Sequence, residues 1–521
     1  MWPVVAKVVS IVGPAIHRVG PRGVGNGVSE FKSEIRDGEI AALEEKVAKD
    51  NYGKYLSRLI LKRVRGFTDR EVSFDFPVTA LVGPNGGGKT TILGAAGLIY
   101  KDVPPRRFFA KSGKYDSSMK DWTVEYQLID RSINPKLRVP RTASYLKLKW
   151  NRTAVEREVL IFGVERTVPA TERRELVKAV GAAFAAYSEK TLSPVVAENV
   201  ARILGKPVEG FHQVFLDQAE RVSLYAGQTS KGDEYSEFHF GAGEASVIRI
   251  VSGVEGAAEN SLILIEEIEN GLHPVATIRM VEYLINVAKR KSCQVIFTTH
   301  SNDALAPLPS KAIWASYNGE VLQGKLDIVA LRTITGQIDA SLAIFVEDVY
   351  AEHFLATVLR YSRVELSAVK IHRMGGADPA RKVNEQHNLD PTSTFPSICV
   401  LDGDQGDTQD IDKRIFVLPG DSHPERHVLD RVVSVLDKVA ALLTVSMQLP
   451  PSQQERVKEV ITARVLSNYD VHVIFEQIGA DLDFTAGQTV ATAFLSVWAQ
   501  EFPDEVAELI APFKELLPMV P

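Results

Sequence analysis

The sequence predicts an α/β protein in two parts, a nucleotide-type unit and a smaller second unit, followed by a helical tail. Three observations carry that prediction. The stretch "GPNGGGKT" (Gly83 to Thr90) has the spacing of a phosphate loop and stands between an apolar strand and a helix. Strand and helix signals alternate strictly through "LILIEE", "ATIRMVEYLINVAKRK" and "CQVIFTTH", the pattern of a parallel sheet with crossover helices. The same alternation restarts at "LAIFVED", runs through "SICVLDGD" and "RIFVLPGD", and from about residue 425 gives way to mostly helical sequence.

In chain order, residues 1–54 read as an N-terminal arm and a helix, 55–335 as the first α/β unit, 341–440 as the second, and 441–521 as a helical region. The opening "MWPVVAKVVSIVGPAI" is apolar but carries Pro3, Lys7, Gly13 and Pro14 and is shorter than a spanning helix, so it reads as a peripheral arm or an interface segment in preference to a membrane contact. "EFKSEIRDGEIAALEEKVAKD" has helical spacing. "YLSRLILKRVRGF", "EVSFDF" and "VTALVG" read as strands, as do "DWTVEYQLID" and "SYLKLKWN". "ERRELVKAVGAAFAAYSEKT" and "SPVVAENVARIL" read as helices, and a seam falls at "TGQIDAS" near 335–341.

Composition narrows the class. With 45% hydrophobic and 24% charged residues, the 521-residue chain is an ordinary globular protein of two or three domains. Its 2 cysteines, Cys293 and Cys399, sit in apolar strand-like runs, which suits buried thiols in a reducing, cytoplasmic setting. The net charge of -6 lends no support to nucleic-acid binding by overall charge and leaves only a local basic surface for it. "PPRRFF" and "KLKWNR" are either such phosphate contacts or plain solvated faces.

The first set of chemistry-bearing residues is a nucleotide site. In the loop, Asn85, Gly86 and Gly88 leave backbone N–H groups free to face phosphates, and the helix that begins at Lys89, Thr90 and Thr91 adds a favourable dipole. Lys89 reaches the β- and γ-phosphates of ATP, and Thr90 binds Mg²⁺. In "SLILIEEIENGLHP", Glu266 at the strand end holds the magnesium and Glu267 orients the attacking water. His300, ending "QVIFTTH", is placed to sense the γ-phosphate or is simply structural.

The second set is acidic. Glu347 ends the strand "LAIFV", Asp402 and Asp404 end "SICVL", and Glu425 follows the strand in "RIFVLPGD". Ligand groups in parallel sheets gather beyond the carboxyl ends of strands, so these acids converge on a hard cation, Mg²⁺ or Mn²⁺. The plain alternative is a solvated Asp–Gly turn. Clustered carboxylates with one or two such ions hydrolyse phosphodiesters.

The first set, with the opening "LKRVRGF" and the "EIENGLHP" segment, resembles the ABC-type ATPase heads of the RecF and structural-maintenance-of-chromosomes group. That resemblance implies paired heads in which a signature loop closes a second chain's ATP site. "FGAGEAS" (Phe240 to Ser246) is the corresponding segment, with Gly243 and Glu244 as nucleotide contacts and Gly241 where the group has serine. Gln127 is the corresponding coupling glutamine or a plain strand residue. The second set resembles a TOPRIM domain, with Glu347 as its leading glutamate and Asp402 and Asp404 as its DxD pair. Asp348 replaces the usual glycine, Glu352 stands one place later than the usual second acid, and Glu425 is an additional ligand. Lys382 and Lys413 are available where related nucleases use a lysine.

An ABC-type head followed by TOPRIM resembles the OLD (overcoming lysogenization defect) family, whose relatives include the Gabija nuclease and the retron- and PARIS-associated effectors. The resemblance implies an ATP-regulated, metal-dependent DNA endonuclease in anti-phage defence. It also implies a homo-oligomer formed through the heads, with DNA as substrate and a companion defence protein or RNA as a further partner. Two rival readings stand beside it. One is a sensor ATPase with a degenerate TOPRIM that binds a protein. The other is a repair-type ATPase without nuclease activity, against which stands the lack of a sustained heptad run between Thr90 and Gly241.

Overall fold

The structure is a computed structural model that describes residues 35–111, 119–174, 176–177, 186–208, 210–220, 222–228, 232–324, 340–390, 393–420 and 422–519. The N-terminal arm, the middle of the "ERRELVKAVGAAFAAYSEKT" helix and nearly all of the 335–341 seam lie outside these residues.

The first unit is organised by a six-stranded sheet in the order Glu320–Gln323, Ile313–Tyr317, Val78–Val82, Gln294–Thr299, Leu262–Ile265, Val159–Phe162. The first of these pairs antiparallel and the rest parallel. Its four interior strands are buried along their whole length. Both faces are covered, which is why these strands read as nearly continuous apolar runs. The helix Lys89–Leu98 shows how tightly: every residue but Thr90 is buried. It lies between this sheet, which contributes Leu81, Leu264 and Ile296, and a five-stranded antiparallel sheet, which contributes Leu59, Val72 and Val124. A helix enclosed on all sides can be apolar on all sides.

The antiparallel sheet also corrects one expectation. "SYLKLKWN" is not one strand but the turn of a hairpin between Val139–Leu146 and Lys149–Arg152. Lys147 and Leu148 have φ of 49° and 65°. Two consecutive left-handed residues make the tight two-residue reversal, and an alternating apolar pattern runs straight through it. A second correction concerns "SEKT" at the end of a predicted helix. Ser188–Thr191 is a strand and joins an antiparallel sheet with His212–Phe215, Ser223–Gln228 and Glu234–Ser236.

The second unit is a four-stranded parallel sheet in the order Val369–Arg373, Leu342–Val346, Ser397–Leu401, Ile415–Val417, so the unit's strands run second, first, third, fourth. Alternation along its first strand divides the packing. Leu342, Ile344 and Val346 share a core with Phe494 and Trp498 of the C-terminal helices. Ala343 and Phe345 belong to the cluster that includes the first unit's sheet residues. The helical region that follows residue 441 is therefore packed on the second sheet, and the second sheet on the first unit. Tyr317 Oη donates to Gln386 Oε1 across that junction at 2.6 Å. Among the described residues, no helix is long and apolar enough to cross a membrane.

Candidate functional site

The phosphate loop leaves the buried strand Val78–Val82 and turns into the helix at Lys89. Gly88 has φ of 100°, and a Cβ there would meet the Phe67 ring at 2.3 Å, so the position needs glycine for conformation and for space. Lys89 Nζ donates to the carbonyls of Gly83 at 2.8 Å and Pro84 at 3.0 Å, curling over the loop. Burial pushes its ammonium down to about 8, against the opposing charges of Glu267 and Glu269. A cavity of about 320 Å³ opens beside it. Asn85, Gly86, Gly88, Lys89, Thr90 and Thr91 line one side, and Glu266, Glu267 and His300 line the other. These nine predicted residues meet in one place.

Glu266 and Glu267 emerge from the strand Leu262–Ile265 through a sharp turn. Glu267 has φ of 45°, a left-handed conformation that a glutamate adopts only when held. Its N–H donates to Thr298 Oγ1 at 2.8 Å, and Asn270 Nδ2 donates to its Oε2 at 2.6 Å. Burial raises the Glu266 carboxyl above its ordinary value. Glu269, which the sequence reading did not single out, fixes the end of the neighbouring strand. It accepts from Thr299 Oγ1 at 2.8 Å and from the His300 N–H at 2.6 Å, and so positions His300. Arg65 was also missed. It lines the cavity and its Nη1 donates to Thr91 Oγ1 at 2.7 Å.

Gly243, Glu244 and Gln127 lie off this cavity. Gly243 packs on Gly271, where a Cβ would come within 1.9 Å of the Gly271 carbonyl. Glu244 pairs with Lys206 Nζ at 2.6 Å and accepts from Tyr235 Oη at 3.2 Å. Gln127 sits within the antiparallel sheet, opposite Arg58 and Pro140.

The acidic centre forms where the second unit's first and third strands end side by side. In a sheet of order second–first–third, that is the topological switch point, where a crevice opens beyond the strand ends. Ligand oxygens of Glu347, Asp402 and Asp404 lie within 4.8 Å of one another. Glu347 Oε1 accepts the Asp402 N–H at 2.9 Å, which ties the two strand tips together. Burial, then the charges of Glu347, Asp348, Glu425 and Asp404, push Asp402 from its ordinary 3.8 up to about 8. Burial also raises Glu347. Asp402 is 7% exposed and its Oδ1 has no hydrogen-bond partner. An all-oxygen set with a buried, unpartnered carboxylate oxygen fits a hard divalent cation.

Two predicted ligands are placed differently. Glu352 lies outside the cluster and pairs with Arg373 Nε at 3.0 Å. Glu425 also lies outside it, although its charge reaches Asp402. Its Oε1 stands 3.2 Å from His472 Nδ1, and its Oε2 is buried without a partner. Asp348, which replaces the expected glycine, caps the helix Val349–Tyr361 by accepting the Ala351 N–H at 2.9 Å. Lys413 pairs with Glu385 at 3.2 Å.

Comparison with known proteins places the first unit. A family model described as "AAA domain, putative AbiEii toxin, Type IV TA system" matches residues 127–306, and another described as "AAA domain" matches residues 58–119. These two stretches, which hold the phosphate loop and the Glu266–Glu267 turn, are thus similar to P-loop ATPase domains of the AAA type. Similar solved structures include a Smc head bound to the C-winged helix domain of ScpA, at 14% identity over 51% of this chain and 97% of that one, with a TM-score of 0.38. The SMC head domain from Thermotoga maritima shows 13% identity over 51% of this chain and 98% of that one, with a TM-score of 0.33. The recombination mediator RecF with ATP shows 11% identity over 52% and 99%, with a TM-score of 0.32. No curated protein matches the chain.

Proposed function

We propose that the chain is an ATP-regulated, divalent-metal-dependent DNA endonuclease of the OLD family that acts in anti-phage defence, with a TOPRIM-type second unit. The observation that supports this reading is the meeting of Glu347, Asp402 and Asp404 within 4.8 Å at a sheet switch point, with Asp402 Oδ1 buried and unpartnered. These three carboxylates would hold Mg²⁺ or Mn²⁺, and Glu425 lies near enough to bias the site. A divalent ion there supplies polarisation of a phosphodiester and a water of lowered pKa. The chain's own contribution is to fix the carboxylates: the Asp402 N–H orients Glu347 at 2.9 Å, and burial keeps competing water away from Asp402.

In the ATPase unit, the loop N–H groups and Lys89 bind the phosphates, Thr90 and Glu266 would hold Mg²⁺, Glu267 orients the water and His300 faces the γ-phosphate. Gly243 and Glu244 stand off their own chain's cavity. In this reading the signature segment serves the nucleotide of a second chain, and head pairing is the working assembly. Because the two units share a core, pairing reaches the acidic centre.

Plasmid DNA incubated with Mg²⁺ or Mn²⁺, with and without ATP, tests the proposal. Cleavage by the parent, lost in Glu347→Ala, Asp402→Ala and Asp404→Ala, supports it. Full ATP turnover over DNA that stays intact in both metals sinks it and leaves an ATPase that binds a protein partner.

A further inference from the structure

We propose that Arg166 is a positioning residue for ATP hydrolysis, one that fixes the turn carrying Glu267 and ties that turn to the signature helix Ala242–Gly256. The proposal rests on the reading of Glu267 as the residue that orients the attacking water.

Arg166 is only 6% exposed, yet it carries a full charge. Its Nη1 donates to the Glu266 carbonyl at 2.6 Å and to the Gly163 carbonyl at 2.9 Å. Its Nη2 donates to the Glu267 carbonyl at 2.6 Å, and its Nε donates to Ser246 Oγ at 2.9 Å. All four bonds go to carbonyl or hydroxyl oxygens. A guanidinium taken out of water persists where its donors are satisfied, and two of the four bonds here go to main-chain carbonyls of the catalytic turn, those of Glu266 and Glu267.

That turn needs holding. A non-glycine residue in the left-handed region costs on the order of 1–3 kcal/mol and survives only where its surroundings over-determine it. At Glu267 both backbone polar groups are fixed, the N–H by Thr298 and the carbonyl by Arg166 together with the Asn270 N–H at 3.0 Å. Asn270 holds the carboxylate. With the turn clamped this way, Glu267 lines the cavity together with Lys89.

The fourth bond extends the clamp to another element. Ser246 is 1% exposed and lies near the start of the signature helix. A second seam joins the same two elements, because Gly243 packs directly on Gly271 beyond the glutamates. A displacement of the signature helix, as when it engages a second chain's nucleotide, therefore pulls on the carbonyls of Glu266 and Glu267 in its own chain. Arg166 makes each head's catalytic turn responsive to whether its signature segment is engaged.

The test uses the full-length chain with four substitutions: Ser246→Ala, Arg166→Lys, Arg166→Gln and, as a control on the underlying reading, Glu267→Gln. Steady-state kcat and KM are measured beside the dissociation constant of a fluorescent ATP analogue. Glu267→Gln is expected to lower kcat at least about 100-fold and leave nucleotide binding intact. Arg166→Gln is expected to lower kcat about 30- to 100-fold, with Arg166→Lys in between and Ser246→Ala about 3- to 10-fold down. All three should hold the dissociation constant within about twofold. If Glu267→Gln keeps parental kcat, the reading of Glu267 fails. If it loses kcat while Ser246→Ala and Arg166→Lys keep theirs, or lose ATP affinity in equal measure, the positioning role of Arg166 is overturned. Should Arg166→Gln not fold, the other two variants decide the matter.

Discussion

Replacing Asp402 by asparagine removes one charge and keeps the shape, and the structure sets the sign and size of the effect. Asp402 is held from its ordinary 3.8 up to about 8, first by burial and then by Glu347, Asp348, Glu425 and Asp404. An acid whose folded pKa is raised keeps its proton longer in the folded chain than in the unfolded one. The metal-free protein therefore loses stability as pH rises through the interval from 3.8 to about 8, with the whole penalty present above it. At about 1.4 kcal/mol per pH unit, the upper bound is about 5–6 kcal/mol. Relaxation and water entry cut it to about 2–4 kcal/mol. In chelator, Asp402→Asn should then melt above the parent by roughly 4–16 °C near pH 9, taking about 2–4 °C per kcal/mol, and the gap should shrink as the pH falls towards 5. An excess of Mn²⁺ at about 100 times its dissociation constant should raise the parent by about 2.7 kcal/mol and leave the variant nearly unmoved. Scanning calorimetry with and without Mn²⁺, across this pH range, measures both. A variant that melts below the parent near pH 9 in chelator, or that gains as much from Mn²⁺ as the parent, refutes the reasoning.

Two further predictions rest on Lys89 and on the junction between the units. The Lys89 ammonium is pushed down to about 8 by burial, and bound phosphates favour its charged form, so ATP affinity should fall by up to about tenfold per pH unit above about pH 8. Calorimetric titrations in buffers of different ionisation heat should show proton uptake on binding near pH 9, a signal that Lys89→Met abolishes. At the junction, Ser316 Oγ donates to the Gly87 carbonyl of the phosphate loop at 2.5 Å, and the next residue, Tyr317, bonds Gln386 of the second unit at 2.6 Å. Tyr317→Phe should cost about 1 kcal/mol of stability. Its telling effect should be on the ratio of DNA cleavage with and without ATP, with ATP turnover itself kept. A ratio equal to the parent's removes this strand end from the coupling.

How much of this was legible in the sequence depends on where each residue's partners lie. The phosphate loop, Glu266, Glu267 and His300 declare themselves because each sits at a strand end, within or beside a motif whose spacing is fixed by the phosphates it must reach. Glu347, Asp402 and Asp404 are readable for the same reason: a parallel sheet brings strand ends together whatever the loops do. Arg166 has no such signature. Its bonds reach Glu266 and Glu267, 100 and 101 residues away, and they go to main-chain carbonyls, which any residue type supplies. Arg65 and Glu269 were hidden likewise, although both lie inside stretches that were read.

Glu352 shows the converse error, a residue of the right type at the wrong phase. One place along a helix turns a side chain by about 100°. Position 351, four places after Glu347, points into the core, where Ala351 is fully buried. Glu352 is turned to the rim and meets Arg373 instead. With that helix face closed to an acid, the second unit draws its extra negative charge from elsewhere. Asp348 keeps its Oδ1 on the helix cap, and Glu425 arrives from the helix Pro424–Ser434, packed on the same side of the sheet as Val349–Tyr361, with one oxygen near His472 and the other unpartnered. The site thus rests on its three strand-tip carboxylates, with a buried alanine at the helix position behind them. If the proposed chemistry is right, Glu352→Gln should leave cleavage within about twofold of the parent, while Glu425→Gln should lower it by about tenfold or more. Equal losses in a plasmid-nicking assay would mean that the ion pair with Arg373 opens when metal binds.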